Sequence, residues 1–483
     1  MDIRISFSEL HRGKIPSYEA GDTITIFAEG NVIVPDYDEL RAIFSHFSKP
    51  YHLVLENIQP RFPFKRGAID DSSPFGDKIL SFYSPDLNIV GCSLFRDCAE
   101  LTEIFVPSVV AVCNYSFYGC KKLEKVHLPK LKYYVASNAF EECKSLREFR
   151  MPCEDIGDWP EPVSIGEKAF RNCTSLRKVY IPSVREISGS VFKNCVNLTE
   201  IYAPLAENIG WMMFERCCSL EHVDFPNAKI IESYAFRSCL RLKSVNAPVA
   251  ESVEECAFDD CILLESICIK SVKEIEDSAF DSCENLKEVD APFLESVGKG
   301  AFRRCYKLER VKSHELKNLQ VESFKGCHNL REINLTKVKI IPSRAFYECS
   351  SLCVEDLPSA EKIYSFAFYE CRKLKNLYMP KLKLLGNHAL ERCDGLELVD
   401  MPSVETIGKF AFYDCEEIDT VNAPNVKNIG WGVFNWVFDV KNLIIPEIFD
   451  KELMFDWDFD NWDNPFHPFV SYIKEEYRQG AKK

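Results

Sequence analysis

Between Phe170 and Phe434 one apolar slot recurs every 22 residues, filled by phenylalanine at every step but one, where Leu390 stands. Upstream, Phe95 and Phe117 keep the same interval; Phe140 follows after 23 residues and Phe170 after 30, which makes sixteen turns. Counted from this Phe, the third residue is Cys, the sixth Leu, the ninth Val or Ile, the twelfth usually Pro and the seventeenth Ile, Val or Leu. In one copy Ile201 and Ala203 alternate with Tyr202, the period of a strand with one face inward. Pro204 ends it, because proline has no N–H to give to a ladder. A second short extended segment follows around Ile209, and the Ala-Phe-x-x-Cys stretch reads as a tight helical turn into the next coil. A coil this short cannot bury its own apolar face, whereas stacked coils cover one another, so the period predicts a solenoid.

The unit Ser271–Pro292, SVKEIEDSAFDSCENLKEVDAP, resembles the BspA-type leucine-rich repeat with its Ile-x3-Ala-Phe-x2-Cys-x2-Leu-x2-Val-x2-Pro pattern. The resemblance spans residues 79–446. It implies an α/β, mainly β, curved leucine-rich repeat solenoid of about sixteen coils. A parallel sheet is expected on its concave face, and short strands or helical turns on the convex side. It also implies adhesion or protein recognition: a non-enzymatic scaffold that binds a protein partner on the sheet face, or, as the alternative, a surface adhesin.

Residues 1–78 lack the period. The stretch DTITIFAEGNVIVP (22–35) reads as a hairpin turned at Glu29, Gly30 and Asn31. Leu40, Ile43, Phe44 and Phe47 then fall at helical spacing, and YHLVLENI (51–58) reads as a strand. An open solenoid end exposes core and a sheet edge, so residues 1–78 are expected to act as an N-terminal cap. Residues 447–483, rich in aromatics and Asp, are expected to cap the other end. Their Asp456, Asp458, Asp460 and Asp463 lack the Gly and Glu that an EF-hand loop needs at its sixth and twelfth positions, where Asn461 and His467 stand.

Fifteen of the 22 cysteines occupy the third slot. Stacking places them in a column that cannot pair off neatly, and buried Cys behaves as a small hydrophobe, so core filling is the expectation. No Cys-x2-Cys occurs, which removes the common zinc spacing, and neither metal nor cofactor is expected. So many unpaired thiols suit a reducing compartment. With no apolar leader after the first residues, a cytoplasmic location is expected, and no segment is apolar enough to insert into a membrane. The formal net charge of −15 repels phosphate backbones, which argues against nucleic acid as partner. No nucleophile triad pattern or phosphate-binding loop is present, and no enzymatic activity is expected.

The tenth residue of each turn points outward between two buried ones. Along the chain it begins Phe105, His127, Arg150, Tyr180 and Tyr202, then turns mostly to Asp and Asn, with a late Tyr378. Tyr and Arg are favoured interface anchors, so these six residues are the candidate partner surface. Trp159, in the eight-residue insertion between Phe140 and Phe170, is a further candidate anchor.

Overall fold

The computed structural model describes residues 1–34, 37–60, 73–151, 161–437 and 440–449. The chain divides into two compact units, Met1–Ala247 and Pro248–Lys483.

In the first unit a parallel sheet starts at the N-terminus. Strands β1 (Asp2–Ser6), β2 (Asp22–Val34), β3 (Tyr51–Pro60) and β4 (Ile79–Tyr83) pair in order, followed by Glu103–Phe105 and Lys125–His127. Four parallel strands therefore precede the sixteen turns counted from phenylalanine, and the β-solenoid has about nineteen turns rather than about sixteen. The expected hairpin does not form. Residues 22–34 are one strand that runs parallel to β3 on both sides of a bulge between Phe27 and Val32. Opposite the bulge, Asn57 takes a left-handed φ of 58° and its amide donates to the Ala28 carbonyl at 3.2 Å. The alternation on either side of Gly30 is thus met by one continuous partner, so the chain has no need to reverse. Two short helices, α1 (Phe7–His11) and α2 (Tyr37–Phe44), flank these strands, and Leu40, Ile43, Phe44 and Phe47 are buried as their spacing predicts.

Most later coils contribute a strand of two or three residues on the main face and a two-residue strand on the opposite side, reduced to single bridges at Asp356 and Ile209. In the first unit the second row joins Ile89–Val90, Ala111–Val112, Tyr134–Val135, Ser164–Ile165 and Glu186–Ile187. In the second unit the coils repeat the plan, for example Ser266–Cys268, Glu288–Asp290 and Arg310–Lys312 on one face, and Glu274–Ile275, Ser296–Val297 and Asn318–Leu319 on the other. The apolar slots all turn inward: Phe280, Cys283, Leu286, Val289, Leu294 and Val297 have no exposed surface. Phenylalanine rings stack coil on coil, with centroids 5.2 Å apart for Phe280–Phe302 and for Phe302–Phe324, and planes within 6°. Rings at this spacing match the ~4.8 Å step between paired strands. The 30-residue turn keeps the register, since Phe140 and Phe170 still stack at 5.2 Å and Glu148–Arg150 pairs with Lys178–Tyr180. Trp159 lies outside the described residues.

The turn around each Phe is not helical. The residues two before and two after the Phe adopt positive φ in coil after coil, as at Tyr234 (61°) and Ser238 (57°), or Ser278 (52°) and Ser282 (60°). A left-handed conformation costs a non-glycine residue about 1–2 kcal/mol. The stack imposes it because the amides there point at the next coil: Ser278 N–H donates to Lys299 O at 2.8 Å and Ser282 N–H to Arg303 O at 2.9 Å. Four residues before the Phe the slot is glycine in some coils and Glu276, Gln320 or Tyr364 in others. A Cβ on Gly298 would lie 2.5 Å from the Asp277 nitrogen, a contact with backbone that cannot move aside.

Charge also sets the register. The residue fifteen after the Phe alternates in sign along stretches of the array, so that Glu207 lies 3.4 Å from Arg185 and 3.1 Å from Lys229, and Glu405 lies 3.3 Å from Lys383 and 2.8 Å from Lys427. Each exposed pair is worth little, but a slipped register places like charges opposite each other.

These constraints separate two kinds of turn position. Gly298→Ala is expected to destabilise the protein by about 1–3 kcal/mol through overpacking. Ser238→Gly is expected to be neutral or stabilising by up to about 1 kcal/mol, because its left-handed strain is relieved. Thermal denaturation followed by circular dichroism distinguishes them; equal effects contradict the assignment.

Candidate interaction surface

Most tenth-slot residues stand between buried neighbours, although Val126 before His127 and Ile201 before Tyr202 are half-buried. Ile104 and Val106 are fully buried on either side of Phe105, which is 41% exposed. The first unit carries two banks. In the first, Phe105 stacks on Tyr83 (5.5 Å, 28°) and meets His127 at 5.6 Å, with the His127 Nε2 atom 3.5 Å from Glu103. In the second, Arg150 lies over the Tyr180 ring at 5.8 Å, and Tyr180 stacks on Tyr202 at 5.1 Å with planes 9° apart. The ladder is interrupted between the banks: one sheet ends at Lys125–His127, and a three-stranded sheet begins at Glu148–Arg150. The interval from Phe117 to Phe140 is one residue longer than the repeat at this point. Arg147 approaches Glu124 at 3.5 Å across the interruption.

The five early residues therefore form two stacked groups rather than one row. Tyr378 is exposed but belongs to the second unit, where its strand neighbours are Asp356 and Asp400. Tyr83 was missed by the sequence reading. Its signal was available, since it follows the buried Phe82 as each tenth-slot residue follows a ninth. Outward residues two before the tenth slot bring charges of both signs, with Lys178 bonded to Glu200 at 2.8 Å. That hydrogen bond raises the Lys178 pKa. Flat π faces, phenol tips, one guanidinium and a mixed-sign rim suit a polypeptide surface.

A second aromatic group lies in the second unit, on the turns rather than the sheet. Arg344, Phe366, His388 and Phe410 all stand two residues before the Phe slot. Phe366 and His388 stack at 4.5 Å, His388 and Phe410 at 5.0 Å, and the Arg344 guanidinium sits 5.6 Å from the Phe366 ring. Beside them Tyr347 and Tyr369 stack at 4.5 Å. The same unit has a cavity of about 580 Å³ lined by Glu255, Glu274, Glu276, Asp277 and Lys299. Burial, followed by the neighbouring carboxylates, raises the Glu276 pKa. Its carboxylates accept backbone amides, from Lys299 to Asp277 at 2.7 Å and from Glu255 to Glu276 at 3.1 Å. Among the described residues no group of three or more His, Cys, Asp or Glu is arranged to hold a metal ion, and no helix is long and apolar enough to cross a membrane.

The cysteine column makes hydrogen bonds. Along most of the column the slot thiol donates to the carbonyl of the Phe one coil earlier, as in Cys120 to Phe95 at 2.9 Å, Cys239 to Phe214 at 3.0 Å and Cys327 to Phe302 at 3.1 Å, while Cys98 donates to Gly76 and Cys415 to Leu390. A small apolar residue with one weak donor is what this site requires. Burial pushes these thiols up, Cys98 to about 12 and the others in the same direction. They are protonated and inert. Outside the column Cys353 is exposed, while Cys92, Cys218, Cys256 and Cys268 are partly exposed.

A family model described as the BspA type leucine rich repeat region (6 copies) matches residues 88–217, 158–265, 229–353 and 339–452. A leucine-rich repeat protein from Bacteroides ovatus is similar in structure at 24% identity, covering 73% of this chain and 80% of its own, with a TM-score of 0.46. A leucine rich cell surface protein from Faecalibacterium prausnitzii is similar at 19% identity (65% and 83% covered, TM-score 0.32). A leucine-rich repeat protein from T. pallidum is similar at 28% identity (44% and 80% covered, TM-score 0.28). No curated protein matches the chain significantly.

Two measurements check the cysteine assignment. Under native conditions a thiol reagent is expected to titrate Cys353 and the partly exposed cysteines quickly, and the column only after denaturation. The second concerns pH. A folded thiol pKa above the unfolded value of about 8.5 means that the unfolded chain loses its protons first. Stability is therefore full below about pH 8.5 and falls above it, by about 1.4 kcal/mol per pH unit for each slot thiol in the cooperative unit. A urea midpoint unchanged between pH 8 and 9.5, before Tyr and Lys titrate, contradicts the buried, protonated column.

Proposed function

This chain belongs to the BspA-type leucine-rich repeat family, and on that premise we propose that it is a non-catalytic scaffold that captures a protein partner on the sheet face of its first unit. The observation that carries this reading is the pair of stacked banks, Tyr83–Phe105–His127 and Arg150–Tyr180–Tyr202, held half-exposed above a buried core. Rings already packed against one another lose little side-chain freedom when covered, which lowers the entropic cost of binding. The ladder also fixes their spacing at about 5 Å, so a partner meets a rigid surface.

We propose a cytoplasmic location, a reading that the reduced cysteines of the column support. Surface adhesion by the same face is the alternative, and fractionation of native cells separates the two. Capture from native extract by the full chain is expected to be lost, at least tenfold, in Tyr180→Ala/Tyr202→Ala, and to persist in Tyr347→Ala/Tyr369→Ala. Retention by the first variant, or loss by the second alone, moves the site to the turns of the second unit.

A further inference from the structure

Two cysteines of the first unit stand outside the column on adjacent coils. Cys92 and Cys113 lie on the turns that lead into Phe95 and Phe117. The backbone register brings them together. Val90 pairs with Val112, Cys113 N–H donates to Val90 O at 2.9 Å, and Ser93 N–H donates to Asn114 O at 3.0 Å. The two cysteines are thus one residue out of step on adjacent coils. A step of about 4.8 Å between strands and about 3.3 Å along one puts the Cα atoms roughly 6 Å apart, within the span a disulfide bridges without backbone movement.

The two thiols have different environments. Cys92 is partly exposed, while Cys113 is 5% exposed, with its sulfur 3.9 Å from the Tyr134 hydroxyl. The hydrogen bond from Cys113, with help from the Asn114 amide, lowers the Cys92 thiol to about 7, and the same hydrogen bond pushes Cys113 up. One sulfur is a reachable nucleophile and the other a shielded proton carrier beside it. The column thiols differ in both respects, being fully buried and bonded to carbonyls.

We propose that Cys92 and Cys113 form a hydroperoxide-oxidisable dithiol that closes reversibly into a disulfide between neighbouring coils. The Cys92 thiolate attacks a hydroperoxide, so that an S–O bond forms, the O–O bond breaks and an alcohol or water leaves; sulfur is oxidised by two electrons to the sulfenic acid. Cys113 sulfur then attacks Cys92 sulfur. The S–S bond forms, the S–O bond breaks, and hydroxide leaves as water with the Cys113 proton. In sum, two thiols and one hydroperoxide give one disulfide, one alcohol or water and one further water. A low-molecular-weight thiol reverses the step by exchange.

The test treats the full-length chain with hydrogen peroxide, alkylates the remaining thiols and maps the digest by mass spectrometry. A Cys92–Cys113 linked peptide, removed by dithiothreitol, is expected. Cys113→Ser is expected to leave a dimedone-reactive sulfenic acid on Cys92, and Cys92→Ser to abolish the linkage with an unchanged circular dichroism spectrum. Oxidation of Cys92 to sulfinic acid without linkage, a link to any other cysteine, or no faster oxidation at Cys92 than at exposed Cys353 overturns the proposal.

Discussion

Each coil depends on the next for its hydrogen bonds and for its cover. The amides beside every Phe donate to the following coil, the slot thiol donates to the preceding one, and the phenylalanine ring is sandwiched between two others. None of these contacts exists within a single 22-residue segment. The energy that holds one turn in its strained, left-handed form therefore comes from its neighbours, which is why an isolated repeat has no reason to fold.

The same dependence explains what varies and what does not. Inward slots accept few substitutions: Leu390 replaces Phe and still presents its carbonyl to Cys415 at 3.1 Å. Outward slots carry no packing duty and are free to acquire function. In the first unit they hold stacked aromatics and an arginine; in the second they hold mostly Asp and Asn. A binding surface can thus be written onto such a lattice without disturbing the core, and the lattice then supplies its spacing.

The candidate surface was partly legible. A two-residue alternation ending at proline identifies which side chains point out, and it picked Phe105, His127, Arg150, Tyr180 and Tyr202. It did not show that the ladder breaks between Lys125–His127 and Glu148–Arg150, because hydrogen-bond pairing across coils leaves no residue signature. It placed Tyr378 with the others, although that residue stands in a different unit among acidic neighbours. The turn-side stack of Phe366, His388 and Phe410 escaped notice for another reason. Its members sit at left-handed positions, where bulky residues are not expected.

By itself the sequence determined the period, the inward slots and hence the solenoid, because those follow from hydrophobic spacing that any stacked arrangement must bury. It also determined that the cysteine column is core. Only the tertiary structure decided the direction of residues 22–34, which a local reading turns into a hairpin and a parallel partner keeps extended. The tertiary structure alone also decided that the Phe turns are left-handed rather than helical, and that Cys92 and Cys113 stand one residue out of step on adjacent coils. The physical reason is common to all three. Local preference is worth about a kilocalorie per residue, and hydrogen bonds to an adjacent coil outweigh it wherever the two disagree.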